Sequence, residues 1–171
     1  MSLPDRHRHV PRLLLPPVTG DIREETLWAG DIVVSKERIR MTTVLGSCIS
    51  VCLFDTAAGF GGMNHYLLPS PGNDGRHGEW SIRELFGQML DLGARPSCVH
   101  AKVFGGGSPL AVTNEAAAVG PENARLAFAI LADLNLPVVS ERVGGHHGMR
   151  VYFENWSGAA FVRPHRNERQ S

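Results

Sequence analysis

Apolar and β-branched residues in the first half of the chain fall into short runs separated by turn-forming residues. Three runs, at 32–35, 39–45 and 49–54, have the length and composition of β-strands. Aspartate and glycine are frequent after the third run, at 55–62, and predict a turn there. The next apolar run, 63–68, is then the antiparallel return strand, so the pattern predicts a β-hairpin.

The next segment, 81–92, changes to the period of an amphipathic helix. Its apolar residues recur three and four positions apart, as they do on one face of a helix: Ile82, Leu85, Phe86, Met89 and Leu90. Ser81 and Glu84 have the spacing of a capping box, in which two side chains satisfy free backbone N–H groups, and they predict the start of the helix. Gly93 follows the last periodic residues and predicts its end.

A second helix and further strands are predicted in the second half of the chain. The helix opens at Gly120 and Pro121, because proline fits the first turn of a helix, and runs to Leu134. The strands are short apolar runs: 98–104, 137–143, 151–153 and 159–162. Strands in hairpins with two main helices among them predict an α+β fold, a layered domain of mixed, mostly antiparallel sheet.

One folded domain is expected from the length of 171 residues, since chains of about 150 residues bury a sizeable core. Residues 1–26 are rich in proline, arginine and histidine and have no usable period, so we expect a flexible N-terminal tail. The predicted domain covers residues 27–163, and residues 164–171 form a short C-terminal tail.

Charge, cysteine content and hydropathy exclude several classes of function. Lysine and arginine (17) balance aspartate and glutamate (17), which gives no electrostatic reason for binding nucleic acid or an anionic membrane. Three cysteines, an odd number without framework spacing, favour a reducing compartment. No apolar run approaches the roughly 18 residues of a membrane span, and the N-terminal leucines are too few for a signal peptide. We therefore expect a cytoplasmic protein with no nucleic-acid partner and no membrane insertion.

Candidate chemistry begins at Cys48, which directly follows Gly46 and Ser47. This Gly-Ser pair predicts a sharp backbone bend that exposes the sulfur together with backbone N–H groups able to hold an oxyanion. A thiol with a pKa of about 8.5 is mostly protonated near neutral pH, so a nucleophilic cysteine needs a neighbouring base. The alternative is a buried structural cysteine, since free cysteine is among the most buried residue types.

His65 is the candidate base. It follows Cys48 by 17 residues and lies near the middle of the predicted return strand, so the hairpin can bring its imidazole to the thiol. A structural histidine on a half-buried strand is the alternative. A third group that orients the imidazole is expected from Thr42 or Thr43, although threonine is also common in strands for its β propensity alone.

A zinc site is the competing interpretation of the series Cys48, Cys52, His65 and His77. Residues four apart on a strand are separated by roughly 13 Å, too far for two ligands of one zinc ion, so we expect no metal and assign Cys52 to the core. Gly105–Gly107 is not followed by the Lys-Ser/Thr pair of a nucleotide-binding loop. We interpret it as a loop of special backbone geometry near the site.

Several short segments carry a family resemblance when taken together in their order along the chain. They are Thr42 with Val44–Cys52, Gly62–Pro69, Ala101–Gly106, Val119–Gly120 with Asn123, and Gly144–Gly145 through Val151 and Phe153. Over about residues 27–163 the chain thereby resembles the chemoreceptor glutamine deamidases of bacterial chemotaxis, the CheD family. The Gly-Ser-Cys sequence alone would not be specific.

The resemblance implies a Cys–His–Thr triad, which falls on Cys48, His65 and Thr42 of this sequence. The implied reaction is hydrolysis of specific glutamine side chains to glutamate on the cytoplasmic domains of methyl-accepting chemoreceptors, without a metal or an organic cofactor. The implied fold is an α/β sandwich similar to that of certain deamidating bacterial toxins.

Five further residues are expected to contact the substrate or its oxyanion: Gly46, Ser47, Asn64, Gly105 and Gly106. The family resemblance also implies hydrolysis of glutamyl methyl esters and, in some bacteria, binding of a CheC-type phosphatase. The alternative function is a non-catalytic module that binds chemoreceptors or such a phosphatase.

Overall fold

The computed structural model describes Leu15, residues 20–108 and residues 114–165. In these ranges the chain forms nine strands and two α-helices. The strands are β1 (Arg23–Thr26), β2 (Ile32–Ser35), β3 (Ile39–Leu45), β4 (Ile49–Asp55), β5 (Phe60–Asn64), β6 (Val99–Gly105), β7 (Val138–Val143), β8 (Gly148–Glu154) and β9 (Ala160–His165). The helices are α1 (Gly78–Asp91) and α2 (Asn114–Asp133), and a 3-10 turn covers Pro96–Cys98.

The strands form two sheets. The five-stranded sheet has the order β2-β5-β4-β6-β7, and the four-stranded sheet has the order β1-β3-β8-β9. Two pairs are parallel, β1 with β3 and β6 with β7, and the other pairs are antiparallel. This arrangement confirms the predicted α+β fold of mixed, mostly antiparallel sheet with two main helices.

Three layers follow from the packing of two hydrophobic clusters. Both helices pack on one face of the five-stranded sheet, around buried residues such as Ile82 and Leu131. The four-stranded sheet packs on the opposite face. We call the cluster between the two sheets the inter-sheet core; its buried members are Leu27, Ile39, Met41, Leu45, Cys52, Met63, Phe104, Met149, Val151 and Phe153.

β4 is apolar on both faces because it lies between the helices and the four-stranded sheet. Side chains alternate along a strand, so Val51 faces the helices whereas Cys52 faces the inter-sheet core. A strand covered on both faces reads as a nearly continuous apolar run. By the same alternation, Met41 of β3 faces the inter-sheet core, and Thr42 faces the outer side of the four-stranded sheet.

α2 begins at Asn114, six residues before the predicted start at Gly120. Pro121 therefore lies inside the helix, where its missing N–H leaves one helical hydrogen bond unmade. The prediction was wrong because it treated this proline as a first-turn residue. Gly120 permits a close contact instead, since a Cβ there would lie 2.2 Å from the carbonyl oxygen of Gly107. Of the helices in the described ranges, none is long and apolar enough to cross a membrane.

α1 begins at Gly78, and its N-cap residue, His77, makes no side-chain capping hydrogen bond. The predicted capping box of Ser81 and Glu84 is wrong, because Ser81 is fully buried and its hydroxyl accepts a hydrogen bond from the side chain of Asn64. The predicted end is confirmed, since the helix stops at Asp91 and Gly93 follows with a φ of +95°.

β1 lies within the predicted N-terminal tail and extends the four-stranded sheet by parallel pairing with β3. The predicted boundary at residue 27 is therefore too late, because the polar sequence Arg-Glu-Glu-Thr of β1 carries no hydrophobic signal. The rest of the predicted tail, residues 1–14 and 16–19, lies outside the described residues. At the other end, β9 continues to His165, past the predicted boundary at 163, and residues 166–171 lie outside the described ranges.

β5 begins at Phe60, so the turn after β4 is shorter than predicted and the return strand starts earlier. Gly61 and Gly62 are strand residues and not turn residues. They allow tight packing, since a Cβ on Gly61 would lie 2.3 Å from the carbonyl oxygen of Leu53. After β5 ends, the pairing with β4 continues as a single antiparallel bridge between Ile49 and Tyr66.

Phe153 and Tyr152 are neighbours on opposite faces of β8 and test the layer arrangement. Phe153→Ala removes a fully buried ring from the inter-sheet core and is expected to lower the free energy of unfolding by about 3–5 kcal/mol. Tyr152→Ala removes a ring that lies 5.1 Å from the guanidinium of Arg163 on the outer face. We expect it to cost about 1 kcal/mol or less. Urea unfolding followed by circular dichroism measures both, and equal losses would contradict the two-sheet packing.

Candidate active site

The chain crosses from one sheet to the other at Cys48. β3 of the four-stranded sheet ends at Leu45, and β4 of the five-stranded sheet begins at Ile49. The connecting residues, 46–48, are called the cysteine loop below. The side chain of Cys48 is half-buried and packs at the margin of the inter-sheet core, so part of it remains open to solvent.

Hydrogen bonds hold every carbonyl group of the cysteine loop. The donors are Gly107 N for Gly46 O (2.9 Å), Asn123 Nδ2 for Ser47 O (3.0 Å) and Gly106 N for Cys48 O (2.8 Å). Within the described part of the chain, the backbone N–H of Ser47 has no acceptor, and the backbone N–H of Cys48 has its own sulfur alone. The loop thus keeps two N–H donors next to the thiol, which is what an oxyanion site requires.

Gly105 and Gly106 support the cysteine loop from the neighbouring strand. Gly105 has a φ of +106°, and a Cβ there would lie 2.1 Å from the carbonyl oxygen of Cys48. Gly106 donates its N–H to that same oxygen. Gly106 is expected from the sequence to contact the substrate or its oxyanion. Its N–H does not have this role, because it already donates to the carbonyl oxygen of Cys48. The special backbone geometry of these glycines is confirmed, and it serves a close approach to Cys48.

His65 lies on the same face of the five-stranded sheet as Cys48. β4 and β5 are antiparallel, and their register continues to a bridge between Ile49 and Tyr66. Cys48 and His65 each directly precede a member of that bridge, so they are diagonal neighbours on the face that meets the four-stranded sheet. Diagonal Cβ atoms lie about 7–8 Å apart or slightly less, so the two side chains are neighbours. No hydrogen bond joins His65 Nε2 to the Cys48 thiol in the described structure.

Two hydrogen bonds hold the imidazole of His65 in one tautomer. Thr43 Oγ1 lies 2.8 Å from His65 Nδ1 and 2.8 Å from the carbonyl oxygen of Leu27. A carbonyl oxygen only accepts, so the single hydroxyl proton of Thr43 goes to Leu27, and His65 Nδ1 must donate its own proton to Oγ1. His65 Nε2 is then the unprotonated nitrogen, buried and without a hydrogen-bond partner among the described residues. The ring offers the free lone pair that a general base requires.

Thr42 does not reach His65. Successive side chains of β3 point to opposite faces, so Thr43 points between the sheets whereas Thr42 points to the outer face, opposite Tyr152 of β8. No described residue forms a hydrogen bond with the Thr42 hydroxyl. The structure thus brings Thr43, the alternative that the residues alone leave open, and not Thr42, to the imidazole.

Asn64 is a structural residue and not a substrate contact. It directly precedes His65 but points to the opposite face of the sheet, toward the helices. Its Oδ1 accepts a hydrogen bond from Val51 N (2.7 Å), and its Nδ2 donates to Ser81 Oγ (3.0 Å). Because the side chain is fully buried and its groups are bonded, the expectation that it contacts the substrate is contradicted.

Asn123 of α2 contributes to the site, although its amide is not a reactive group. Its buried side chain donates from Nδ2 to both Ser47 O and Leu67 O, each at 3.0 Å. It thereby joins the cysteine loop to the segment that follows His65. One signal could have found it: a polar residue four positions before Ala127, on the buried face of an apolar helix.

Burial determines the protonation of both candidate catalytic groups. It raises the pKa of the Cys48 thiol above the ordinary value, and the backbone N–H of Cys48 opposes this effect in part. It lowers the pKa of the His65 imidazole, and the backbone carbonyl of Leu27 and the charge of Asp31 oppose this. Burial thus favours the neutral thiol of Cys48 and the neutral imidazole of His65.

Cys52 belongs to the core, as predicted. It is fully buried between the sheets, and this burial raises the pKa of its thiol to about 12, with Ser50 and Lys102 opposing the rise. It is therefore neither accessible nor ionised. Across residues 20–108 and 114–165, no three histidine, cysteine, aspartate or glutamate side chains are grouped so that they could hold a metal ion.

Known proteins resemble this chain over most of its length. The family model for CheD chemotactic sensory transduction matches residues 67–164. The probable chemoreceptor glutamine deamidase CheD 1 of Anaeromyxobacter dehalogenans is 39% identical over 150 residues, which cover 86% of this chain and 88% of the relative. The probable chemoreceptor glutamine deamidase CheD of Agrobacterium fabrum is 42% identical over 137 residues (77% and 74%). That of Trichlorobacter lovleyi is 36% identical over 145 residues (82% and 90%).

The rate of alkylation of Cys48 by iodoacetamide reports the ionisation of its thiol. Because burial raises this pKa, we expect the rate to increase with pH through a midpoint above the value of about 8.5 for an ordinary cysteine. A Cys98→Ser background leaves Cys48 as the accessible thiol, and mass spectrometry quantifies the modified peptide. A midpoint below about 7 would instead show a thiolate paired with an imidazolium at rest.

Proposed function

Since the chain belongs to the CheD family, we propose that it hydrolyses the side-chain amides of specific glutamines on chemoreceptors to glutamates. The observation that carries this proposal is the unprotonated Nε2 of His65 on the sheet face that also carries Cys48. A thiol hydrolase needs a nucleophile, a base and donors for an oxyanion, and the cysteine loop and His65 supply a candidate for each. The proposed substrates are cytoplasmic domains of methyl-accepting chemoreceptors, which places the reaction in the cytoplasm.

In the first step, Cys48 Sγ attacks the carbonyl carbon of the glutamine side chain while His65 Nε2 takes the thiol proton. Formation of the thiolate only during the attack agrees with the neutral resting state of both groups. The carbonyl oxygen becomes an oxyanion, to which the backbone N–H groups of Ser47 and Cys48 donate. One such donor contributes about 2.7–4 kcal/mol to transition-state stabilisation.

In the second step, His65 Nε2 donates its proton to the amide nitrogen, the C–N bond breaks, and ammonia leaves a thioester on Cys48. A water molecule then attacks the thioester carbon while Nε2 takes its proton. The C–S bond breaks, the proton returns to Sγ, and glutamate is released. The net reaction consumes one water and releases one ammonia, with no need for a metal or an organic cofactor.

Thr43 is the proposed positioning residue for His65. In the neutral imidazole, Nδ1 donates to Thr43 Oγ1, and after Nε2 has taken a proton, Nδ1 remains a donor to the same oxygen. The carbonyl group of Leu27 holds the hydroxyl proton in both states. The imidazole therefore changes charge without any rearrangement of its partners, a form of preorganisation that lowers the barrier.

The same steps apply to a glutamyl methyl ester, with methanol as the leaving group in place of ammonia. Ester hydrolysis is thus a second proposed reaction of the same site. A CheC-type phosphatase is a proposed partner on the family resemblance alone.

Deamidation of a purified chemoreceptor cytoplasmic fragment tests the proposed function directly. Peptide mass spectrometry is expected to show conversion of particular glutamines to glutamate by the wild-type protein and none by Cys48→Ala or His65→Ala. Circular dichroism of both variants controls for folding. No conversion by the wild type on any receptor of its own cell would contradict the proposal, and effects on signalling that survive Cys48→Ala would identify a non-catalytic binding module.

Thr43→Val and Thr42→Val are matched substitutions that separate the two faces of β3. Thr43→Val removes the acceptor of His65 Nδ1 and is expected to lower kcat by about tenfold or more, with KM little changed. Thr42→Val removes a hydroxyl without a described partner and is expected to leave kcat within about twofold of the wild type. Steady-state deamidation assays measure both. A larger loss of kcat for Thr42→Val would return the orienting role to Thr42.

A further inference from the structure

Trp28 is the most exposed large apolar side chain in the described part of the chain, with 72% of its surface accessible. It lies in the connection between β1 and β2, residues 27–31, which we call the tryptophan turn. Its neighbour Leu27 is only 1% exposed and packs in the inter-sheet core. The turn therefore buries one apolar side chain and directs the next one to solvent.

The tryptophan turn is hydrogen-bonded directly to the candidate site. The carbonyl group of Leu27 accepts the hydroxyl proton of Thr43. Gly30 N donates to His65 O (2.7 Å), and His65 N donates to Asp31 O (3.0 Å). The backbone on both sides of Trp28 is thus bonded to the residue that carries the imidazole or to its partner.

Two further hydrogen bonds fix the backbone of Trp28 itself. Trp28 N donates to Asp31 Oδ2 (2.7 Å), and Asp31 N donates to Trp28 O (2.9 Å). A side chain presented on a fixed turn loses little conformational entropy when it is covered by a partner. The turn is therefore suited to recognition, because it presents a large aromatic side chain to solvent on a fixed backbone.

We propose that Trp28 is a specificity-determining residue, whose indole packs against the apolar side chains that flank the target glutamine on the chemoreceptor. This inference rests on the proposed function. The reacting amide is the same in every glutamine of a receptor, so selection of particular glutamines must come from contacts outside the amide. Tryptophan is among the residues most enriched at the energetic centres of protein interfaces.

The location of Trp28 favours the substrate over a second copy of this chain as the occupant. Any macromolecule that covers the tryptophan turn lies against the backbone that is bonded to His65. A receptor segment seated on Trp28 thus contacts the turn whose backbone is hydrogen-bonded to His65 and to Thr43, whereas nothing in the turn itself favours a second copy of the chain.

Kinetics of the full chain on a chemoreceptor cytoplasmic fragment test this proposal. Trp28→Ala is expected to raise KM about tenfold and to leave kcat within about twofold of the wild type, because no reacting group is removed. Trp28→Phe retains an aromatic ring and is expected to restore part of the loss. Alkylation of Cys48 by iodoacetamide is expected to be unchanged in both variants. Trp80→Ala, which removes a tryptophan that is 36% exposed on α1, is the matched control, with KM within about twofold of the wild type.

A KM for Trp28→Ala within about twofold of the wild type would overturn the proposal, as would an equal rise for Trp80→Ala. Dimerisation of the wild type that is lost in Trp28→Ala, measured by sedimentation equilibrium, would also overturn it. Binding of the fragment to Cys48→Ala, with and without Trp28→Ala, requires no turnover. If the double variant binds the fragment more weakly than Cys48→Ala and the wild type is inactive, the proposed function is rejected and the contact with Trp28 is retained. If the wild type deamidates the fragment and the two variants bind it equally, only the contact with Trp28 is rejected.

Discussion

The hydrogen bond between Thr43 and His65 crosses from one sheet to the other, and the candidate site depends on it. Thr43 belongs to the four-stranded sheet, and His65 directly follows β5 of the five-stranded sheet. Neither side chain can reach the other unless the two sheets pack face to face, so the tautomer of the imidazole is a product of tertiary packing. The cysteine loop also has one end in each sheet. The packing of the two sheets against each other therefore forms both the inter-sheet core and the candidate active site.

The relation of Cys48 to His65 could be predicted from the sequence, because a hairpin is defined by local turn residues and β-rich runs. The choice between Thr42 and Thr43 could also have been predicted. A shift of one residue reverses the face of a strand, and Ile39, Met41 and Leu45 make an apolar face of β3 on which Thr43, and not Thr42, lies. The family resemblance points to Thr42, whereas the packing of the two sheets brings Thr43 to the imidazole.

The other misplaced residues depend on tertiary contacts that the local sequence pattern does not contain. Gly120 and Pro121 have the local signature of a helix start, but Gly120 is needed where α2 approaches the carbonyl oxygen of Gly107. Asn64 is next to His65 in the sequence and on the other face of the sheet in space. Asn123 is distant in sequence from the groups that it joins, and nothing in its local pattern names them.

A thiol that stays protonated at rest is also protected from damage. Peroxides and disulfides react with the thiolate, and their access falls as a cysteine is buried. The pKa of Cys48 is raised and its side chain is half-buried. Little thiolate is therefore present, and little of the sulfur is exposed, before a substrate binds. Both features slow the oxidation of the nucleophile in the absence of substrate.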